Sequence, residues 1–253
     1  MILELEDVSV GYGYILIVKQ VSLGIDQGEF FSLIGPNGAG KTTLLGAISG
    51  QNRLRSGSIR LAGNSIDRLK PHQRARLGLC RSFQTVNLFS TESVVENVVL
   101  AVQARYGTPT SQLVSRIPPM YFEEAEQYLE LVRLNAQSRK LAGLLSHGDK
   151  RKLELAMLLA LRPKILLLDE PTAGMALAEV PEMLELLSEL KATGDYTIVL
   201  VEHKLEMVMK LSDRIAVLNQ GELLKVGSPT EVMASREVQV AYLGGVDEDR
   251  ADT

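Results

Sequence analysis

The sequence predicts an α/β protein: a core built on a parallel sheet, an antiparallel β flap before it and an α-helical insertion within it. Three observations carry that prediction. Residues Gly35-Pro36-Asn37-Gly38-Ala39-Gly40-Lys41-Thr42-Thr43 follow the apolar run Phe30-Phe31-Ser32-Leu33-Ile34 and lead into a helical pattern, so strand, glycine-rich loop and helix stand in series. Leu3 and Leu5, then Val21, Leu23 and Ile25, alternate with polar or small residues as antiparallel strands do. Later, the apolar runs 165–168 and 197–201 alternate with helical stretches, a pattern that calls for parallel pairing.

Along the chain, Thr42 to Ser49 is apolar at helical spacing and stops at Gly50. Residues 58–61 read as a strand after an Arg55-Ser56-Gly57 turn, and 71–78 as a short basic helix. Val94, Val95, Val98, Val99 and Val102 fit one helical face, and Tyr121, Ala125, Tyr128, Leu129 and Val132 fit another. Gly107, Pro109, Pro118 and Pro119 break the chain between them, so 85–144 reads as a mostly helical insertion. Then come a helix over 150–161, the strand 165–168, a helix over 180–190, the strand 197–201, and a hairpin of 214–218 and 223–226 turning at Asn219-Gln220-Gly221. The expected organisation is one domain over 1–245, with 145–230 completing the core and an acidic tail at 246–253.

Composition narrows the class. At 253 residues, 45% hydrophobic and 23% charged, the chain has enough apolar surface for a full core. Its formal charge of −4 argues against a protein that coats nucleic acid. The single cysteine, Cys80, forms no intramolecular disulfide, and the first residues lack the basic and apolar regions of a secretory signal, so a cytosolic setting is expected. No apolar stretch approaches the roughly 20 residues that span a bilayer, so any membrane role comes through a partner.

Three segments carry chemistry. In the glycine-rich loop, backbone N–H groups can close on phosphate oxygens, Lys41 adds a point charge and Thr42 offers a hydroxyl to Mg²⁺. Asp169 and Glu170 end a wholly apolar strand, where adjacent carboxylates are costly unless a cation or substrate needs them. Strand alternation should point them differently: Asp169 to the metal, Glu170 to an attacking water as general base. Ser146 and Asp149, in Leu145-Ser146-His147-Gly148-Asp149, have capping-box spacing, and a capped helix start suits a phosphate. His72 reads as an ordinary surface histidine.

With these in place, the whole chain resembles the ATP-binding cassette (ABC) family, whose fold is a RecA-like P-loop NTPase core with a β flap and an inserted helical subdomain. Residues 35–43 resemble its Walker A motif, 145–149 its signature motif, and 165–170 its Walker B motif with catalytic glutamate. Gln84, in Arg81-Ser82-Phe83-Gln84, is similar to the Q-loop glutamine, and His203, in Val201-Glu202-His203, to the switch histidine. Tyr12, in Val10-Gly11-Tyr12-Gly13, resembles the aromatic residue that stacks on adenine; Tyr14, two residues on, is the alternative. Two departures stand out: His147 and Asp149 where the family has glycine and glutamine, and Ala173-Gly174-Met175-Ala176 without the usual aspartate.

The resemblance implies an ATPase using ATP and Mg²⁺, with Glu170, His203 and Gln84 catalytic and Thr42, Gln84 and Asp169 around the metal. Tyr12, residues 35–43, Ser146 and Gly148 would hold nucleotide, shared between two cassettes of the same or homologous chains paired head to tail. Implied partners are transmembrane permeases and, indirectly, an extracytoplasmic solute-binding protein, with the chain peripheral on the inner membrane face and no nucleic acid bound. Residues 145–148, 173–175 and 240–244 resemble the branched-chain amino acid importer branch, with urea or amide importers and the lipopolysaccharide-export ATPase as alternatives.

Overall fold

In the computed structural model, which describes residues 1–82, 87–107 and 117–243, the chain divides into two compact units. One comprises Met1–Pro71 with Thr197–Thr253, the other His72–Tyr196. The expected acidic tail at 246–253 lies outside the described residues.

The first unit opens with β1 (Leu3–Tyr12) and β2 (Ile15–Ile25), antiparallel from Leu3 opposite Ile25 to Tyr12 opposite Ile15. Strand β3 (Phe30–Ile34) is buried along its whole length, as its unbroken apolar run requires. Helix α1 (Lys41–Ser49) stops at Gly50, whose φ of 83° suits a residue without Cβ. Strand β4 (Leu54–Leu61) pairs with the other side of β1, and β5 (Asn64–Ser65) extends it, giving a four-stranded flap in the order β2-β1-β4-β5. The expected turn at Arg55-Ser56-Gly57 is instead part of β4. Its glycine is a bulge: φ is 85°, the β1 pairing shifts between Glu6 and Ser9, and a Cβ on Gly57 would stand 2.4 Å from the Asp7 carbonyl oxygen.

Helix α2 (Pro71–Arg76) spans the boundary and leads the chain into the second unit, where β6 (Leu79–Arg81) follows. Helix α3 (Val94–Tyr106) starts at a capping box of Ser93 with Glu96 and ends at Gly107. Helices α4 (Pro119–Leu131) and α5 (His147–Ala160) pack against it. Helix α5 starts three residues before the expected Lys150 because Ser146 caps it, its Oγ accepting from the Asp149 amide at 3.1 Å. Strand β7 (Ile165–Asp169), wholly buried, runs parallel to β6, and α6 (Val180–Thr193) completes the unit. Burial pushes the Cys80 thiol on β6 up to about 11, which makes it an inert core residue.

The chain then returns to the first unit as β8 (Thr197–Val201), α7 (Leu205–Leu211), β9 (Arg214–Asn219), β10 (Glu222–Gly227), α8 (Pro229–Met233) and α9 (Arg236–Leu243). Strand β3 lies between β8 and β9, parallel to both. The β9–β10 hairpin turns where the sequence places it, with Gln220 and Gly221 both at positive φ. Ile34, Val208, Ile215, Val217 and Val232 form a core beneath it. No helix among the described residues is long and apolar enough to cross a membrane.

One charged cluster ties three elements of the second unit together. Arg105 on α3 donates to Glu124 on α4 at 2.6 Å and to the Ala160 carbonyl at the end of α5 at 2.9 Å, while Arg162 reaches Glu124 at 2.8 Å. The hydrogen bond from Arg105 is the main reason the Glu124 carboxyl titrates below its ordinary range. Glu124→Ala should destabilise the protein by about 2 kcal/mol in urea unfolding at neutral pH, because it leaves Arg105 largely buried without its carboxylate. A depressed carboxyl stabilises above its unfolded-state pKa and loses that contribution as pH falls through its folded value, so the deficit should narrow in acid. A deficit that does not change with pH would remove the ion pair as its cause.

Candidate functional site

The residues singled out by sequence fall into two groups, one in each unit. In the first unit the loop between β3 and α1 is shaped by glycine. Gly35, Gly38 and Gly40 have φ of 153°, 80° and 101°, and a Cβ on Gly35 would stand 2.1 Å from the Leu218 carbonyl oxygen. A Cβ on Gly38 would meet nothing within 4 Å, so the loop backbone is open on that side. Lys41 is buried at 6% exposure, its Nζ donating to the carbonyls of Gly35 at 2.7 Å and Pro36 at 3.0 Å, which centres the cation in the loop. No side chain caps α1 and no acidic residue stands in its first turn, while Thr42 is exposed there. An uncapped helix start, an open glycine cradle and a centred ammonium fit a phosphate group.

Two further candidates lie in the same unit. Leu33 of β3 is level with Val201 of the parallel β8, so two steps beyond the paired strands Gly35 and His203 leave the sheet at the same level. The buried Glu202 accepts from the amides of His203 at 2.9 Å and Lys204 at 3.4 Å and fixes the turn that carries the histidine. Tyr12, at the end of β1, donates from its hydroxyl to Asn52 Oδ1 at 3.2 Å, and Asn52 Nδ2 donates to the Thr43 carbonyl at 3.1 Å. Asn52, which sequence reasoning passed over, therefore links Tyr12 to the glycine-rich loop. Tyr14 is fully exposed, which favours Tyr12 of the pair.

In the second unit Asp169 ends β7 with no exposed surface. Its Oδ2 accepts from Arg81 Nη2 at 2.8 Å and its amide donates to Ser82 Oγ at 3.0 Å. Arg81 stands three residues before Gln84, which itself lies outside the described residues. Glu170 has a positive φ of 51°, uncommon for a residue with a Cβ. Glu170 therefore does not continue the extended backbone that ends at Asp169, and strand alternation alone does not set the direction of its side chain. Among the described residues no cluster of three His, Cys, Asp or Glu could cage a metal ion. The Asp169 carboxylate, paired with Arg81, can supply an oxygen to Mg²⁺, which takes few protein ligands and arrives with phosphate oxygens.

At the start of α5 the capping box is half realised. Ser146 accepts from the Asp149 amide, but the Asp149 carboxylate turns to Lys152 at 2.8 Å and Gln137 at 2.9 Å. Burial opposes its charge, yet these donors hold its pKa below the ordinary range. His147 Nε2 lies 3.2 Å from the Ala173 carbonyl, and a Cβ on Gly174 would stand 2.7 Å from that nitrogen. His147, one of the departures from the family pattern, thus meets the other departing segment directly, its imidazole lying against Ala173 and Gly174.

The sequence match settles the lineage. The ABC transporter family matches residues 18–173. The chain belongs to the ABC transporter family. It is 36% identical over 249 residues to the high-affinity branched-chain amino acid transport ATP-binding protein BraF of Pseudomonas aeruginosa, covering 96% of this chain and 98% of that one. The figures for LivG of Escherichia coli, of the same description, are 36% over 249 residues, with 96% and 98% covered. Among solved structures, the ADP conformation of an ATP-binding cassette from an ABC transporter superposes with a TM-score of 0.82 at 28% identity, over 96% of this chain and 99% of that one. A dimeric bacterial ABC transporter cassette gives 0.77 at 25% identity, over 90% and 98%. The cassette is therefore a nucleotide-binding ATPase of α/β P-loop fold, as its glycine-rich loop indicates.

Tyr12→Ala should weaken ATP binding by about 1 kcal/mol, or roughly fivefold in Kd by titration, while Tyr14→Ala leaves it unchanged. The reverse ranking would assign the adenine face to Tyr14.

Proposed function

We propose that this cassette powers a membrane importer of branched-chain amino acids by hydrolysing ATP in a head-to-tail dimer. The glycine-rich loop of one chain would hold the ATP and the Ser146–Gly148 helix start of the other would close on its phosphates. The observation that carries the ATPase part is the geometry of the loop: residues 35 to 43 hold a buried ammonium inside a glycine cradle at an uncapped helix start. The cargo is carried by the full-length similarity to BraF and LivG.

Within that reading Lys41 binds the β- and γ-phosphates, and Thr42 and Asp169, joined by Gln84, are the oxygen ligands this chain offers to Mg²⁺. When bound, Mg²⁺ neutralises charge on the phosphate oxygens. Glu170 orients and deprotonates the attacking water, and His203 hydrogen-bonds the γ-phosphate region. Residues 35–43 bind phosphate through their amides, and Tyr12 stacks on the base.

Permease contact is best supported in the second unit, where Phe89, Leu100, Ala104, Met157, Leu158 and Leu161 line an apolar groove of about 420 Å³. Phe89 is 53% exposed there. Asn97, fully buried, accepts from its amide at 2.9 Å and donates to its carbonyl at 3.1 Å, which holds that aromatic in place. A permease segment with an apolar face would fill such a groove, and it would place the cassette on the inner membrane face. An extracytoplasmic binding protein would then act on the cassette only through the permeases.

Glu170→Gln should bind ATP yet turn over at least a hundredfold more slowly, and with ATP should run as a dimer in size-exclusion chromatography. Hydrolysis near the wild-type rate would remove Glu170 from the mechanism. Lys41→Ala should abolish measurable ATP binding through loss of the charge on phosphate, and intact binding would contradict its role. With its cognate permeases in liposomes, the wild-type ATPase rate should rise when a binding protein loaded with leucine is added. A response only to a urea-loaded or amide-loaded protein would change the cargo. No response at all, with lipid extraction, would replace import by export.

A further inference from the structure

Glu179 stands at the N-cap position of α6, but its carboxylate makes no cap on that helix. It reaches instead to the start of α5. Its Oε1 accepts from Ser146 Oγ at 2.9 Å, and a Cβ on Gly148 would stand only 2.6 Å from its Cδ. The same carboxylate ties back into its own segment, Oε2 accepting from the Ala176 amide at 3.0 Å. One residue earlier in α5, the His147 contact with the Ala173 carbonyl holds the other end of that segment. Residues 146–148 therefore carry the whole stretch from Ala173 to Glu179, pinned at both ends, and Ser146 and His147 remain exposed.

We propose that the Glu179 carboxylate is a further residue of the ATP site: an internal anion that occupies the phosphate position at Ser146 and Gly148 and competes with ATP presented by the partner cassette. This rests on the head-to-tail reading above, in which those two residues close on phosphate. A carboxylate and a phosphate oxygen are both acceptors and both negative, so the Ser146 hydroxyl and the space over Gly148 serve one at a time. Binding of ATP then requires Glu179 to swing away, which costs part of the binding energy and releases the Ala176 amide and the segment behind it. The segment that the Glu179 carboxylate pins is the one that lacks the usual aspartate. In this cassette, occupancy of the helix start is coupled to that segment through a competing carboxylate and the His147–Gly174 contact.

The test is ATP-driven dimerisation of the Glu170→Gln chain followed by light scattering, with and without a change at residue 179. Glu179→Gln keeps the size and removes the charge, and it should lower the half-saturating ATP concentration about fivefold. ATP binding to the monomer, which uses the loop around Lys41, should not change, so a shift confined to dimerisation marks competition at the Ser146 face. Should Glu179→Gln fail to reach the thermal midpoint of the parent chain, Glu179→Ala is read in its place, with the same direction expected. An unchanged or higher ATP requirement in a variant that melts with the parent overturns the proposal while leaving the dimer intact. Absence of any ATP-dependent dimer in the Glu170→Gln parent overturns the head-to-tail reading and this inference with it.

Discussion

A backbone that must offer its N–H groups to a phosphate has to be free of side chains on the side that meets the ligand and held rigidly on the other. The loop between β3 and α1 meets both demands through close approaches that only glycine permits. A Cβ on Gly40 would lie 3.0 Å from the Ile17 carbonyl oxygen, and one on Gly221 would lie 2.2 Å from the same atom. The Gly221 amide donates to the Ala39 carbonyl at 3.1 Å, and the Lys19 amide donates to the Gly221 carbonyl at 2.8 Å. The loop is thus wedged between a flap strand and the turn of a hairpin some 180 residues away in sequence, and the flap, the hairpin and the left-handed glycines follow from that wedge.

Parallel pairing then decides which residues stand beside the loop. Because β3 and β8 run in the same direction with Leu33 level with Val201, the residues that follow them emerge together, and His203 needs no other reason to lie near Gly35. In the second unit the same logic places Arg81 and Ser82, at the end of β6, against Asp169 at the end of β7. A fully buried carboxylate with a guanidinium partner is a costly feature unless the pair is well placed, and the 2.8 Å contact between Arg81 and Asp169 supplies that placement.

The segment from Ala173 to Glu179 shows how a departure from a family pattern is read in three dimensions. Taken singly, an imidazole at 147 and a missing aspartate near 174 look like two losses. Together they form a contact, since the imidazole stands where a side chain on Gly174 would be and reaches the carbonyl before it. Gly148 is explained in the same way, by the Glu179 carboxylate that lies across it.

By itself the sequence determined the elements and the loop. Local rules write those: period-2 alternation in β1 and β2, the unbroken apolar runs of β3, β7 and β8, the glycines that only a tight loop needs, and the stops at Gly50 and Gly107. It also placed Lys41, Thr42, Asp169, Glu170 and His203 at the ends of those elements. What it left to the tertiary structure were contacts between residues far apart in the chain. Gly57 looked like a turn because nothing nearby shows the β1 backbone it touches; nothing local marks Asn52 or Arg81, because their partners Tyr12 and Asp169 lie 40 and 88 positions away. The Glu179 contact is equally hidden, since no local pattern reveals that its carboxylate reaches Ser146, 33 residues earlier. Pairing of that kind depends on packing that only the folded chain supplies.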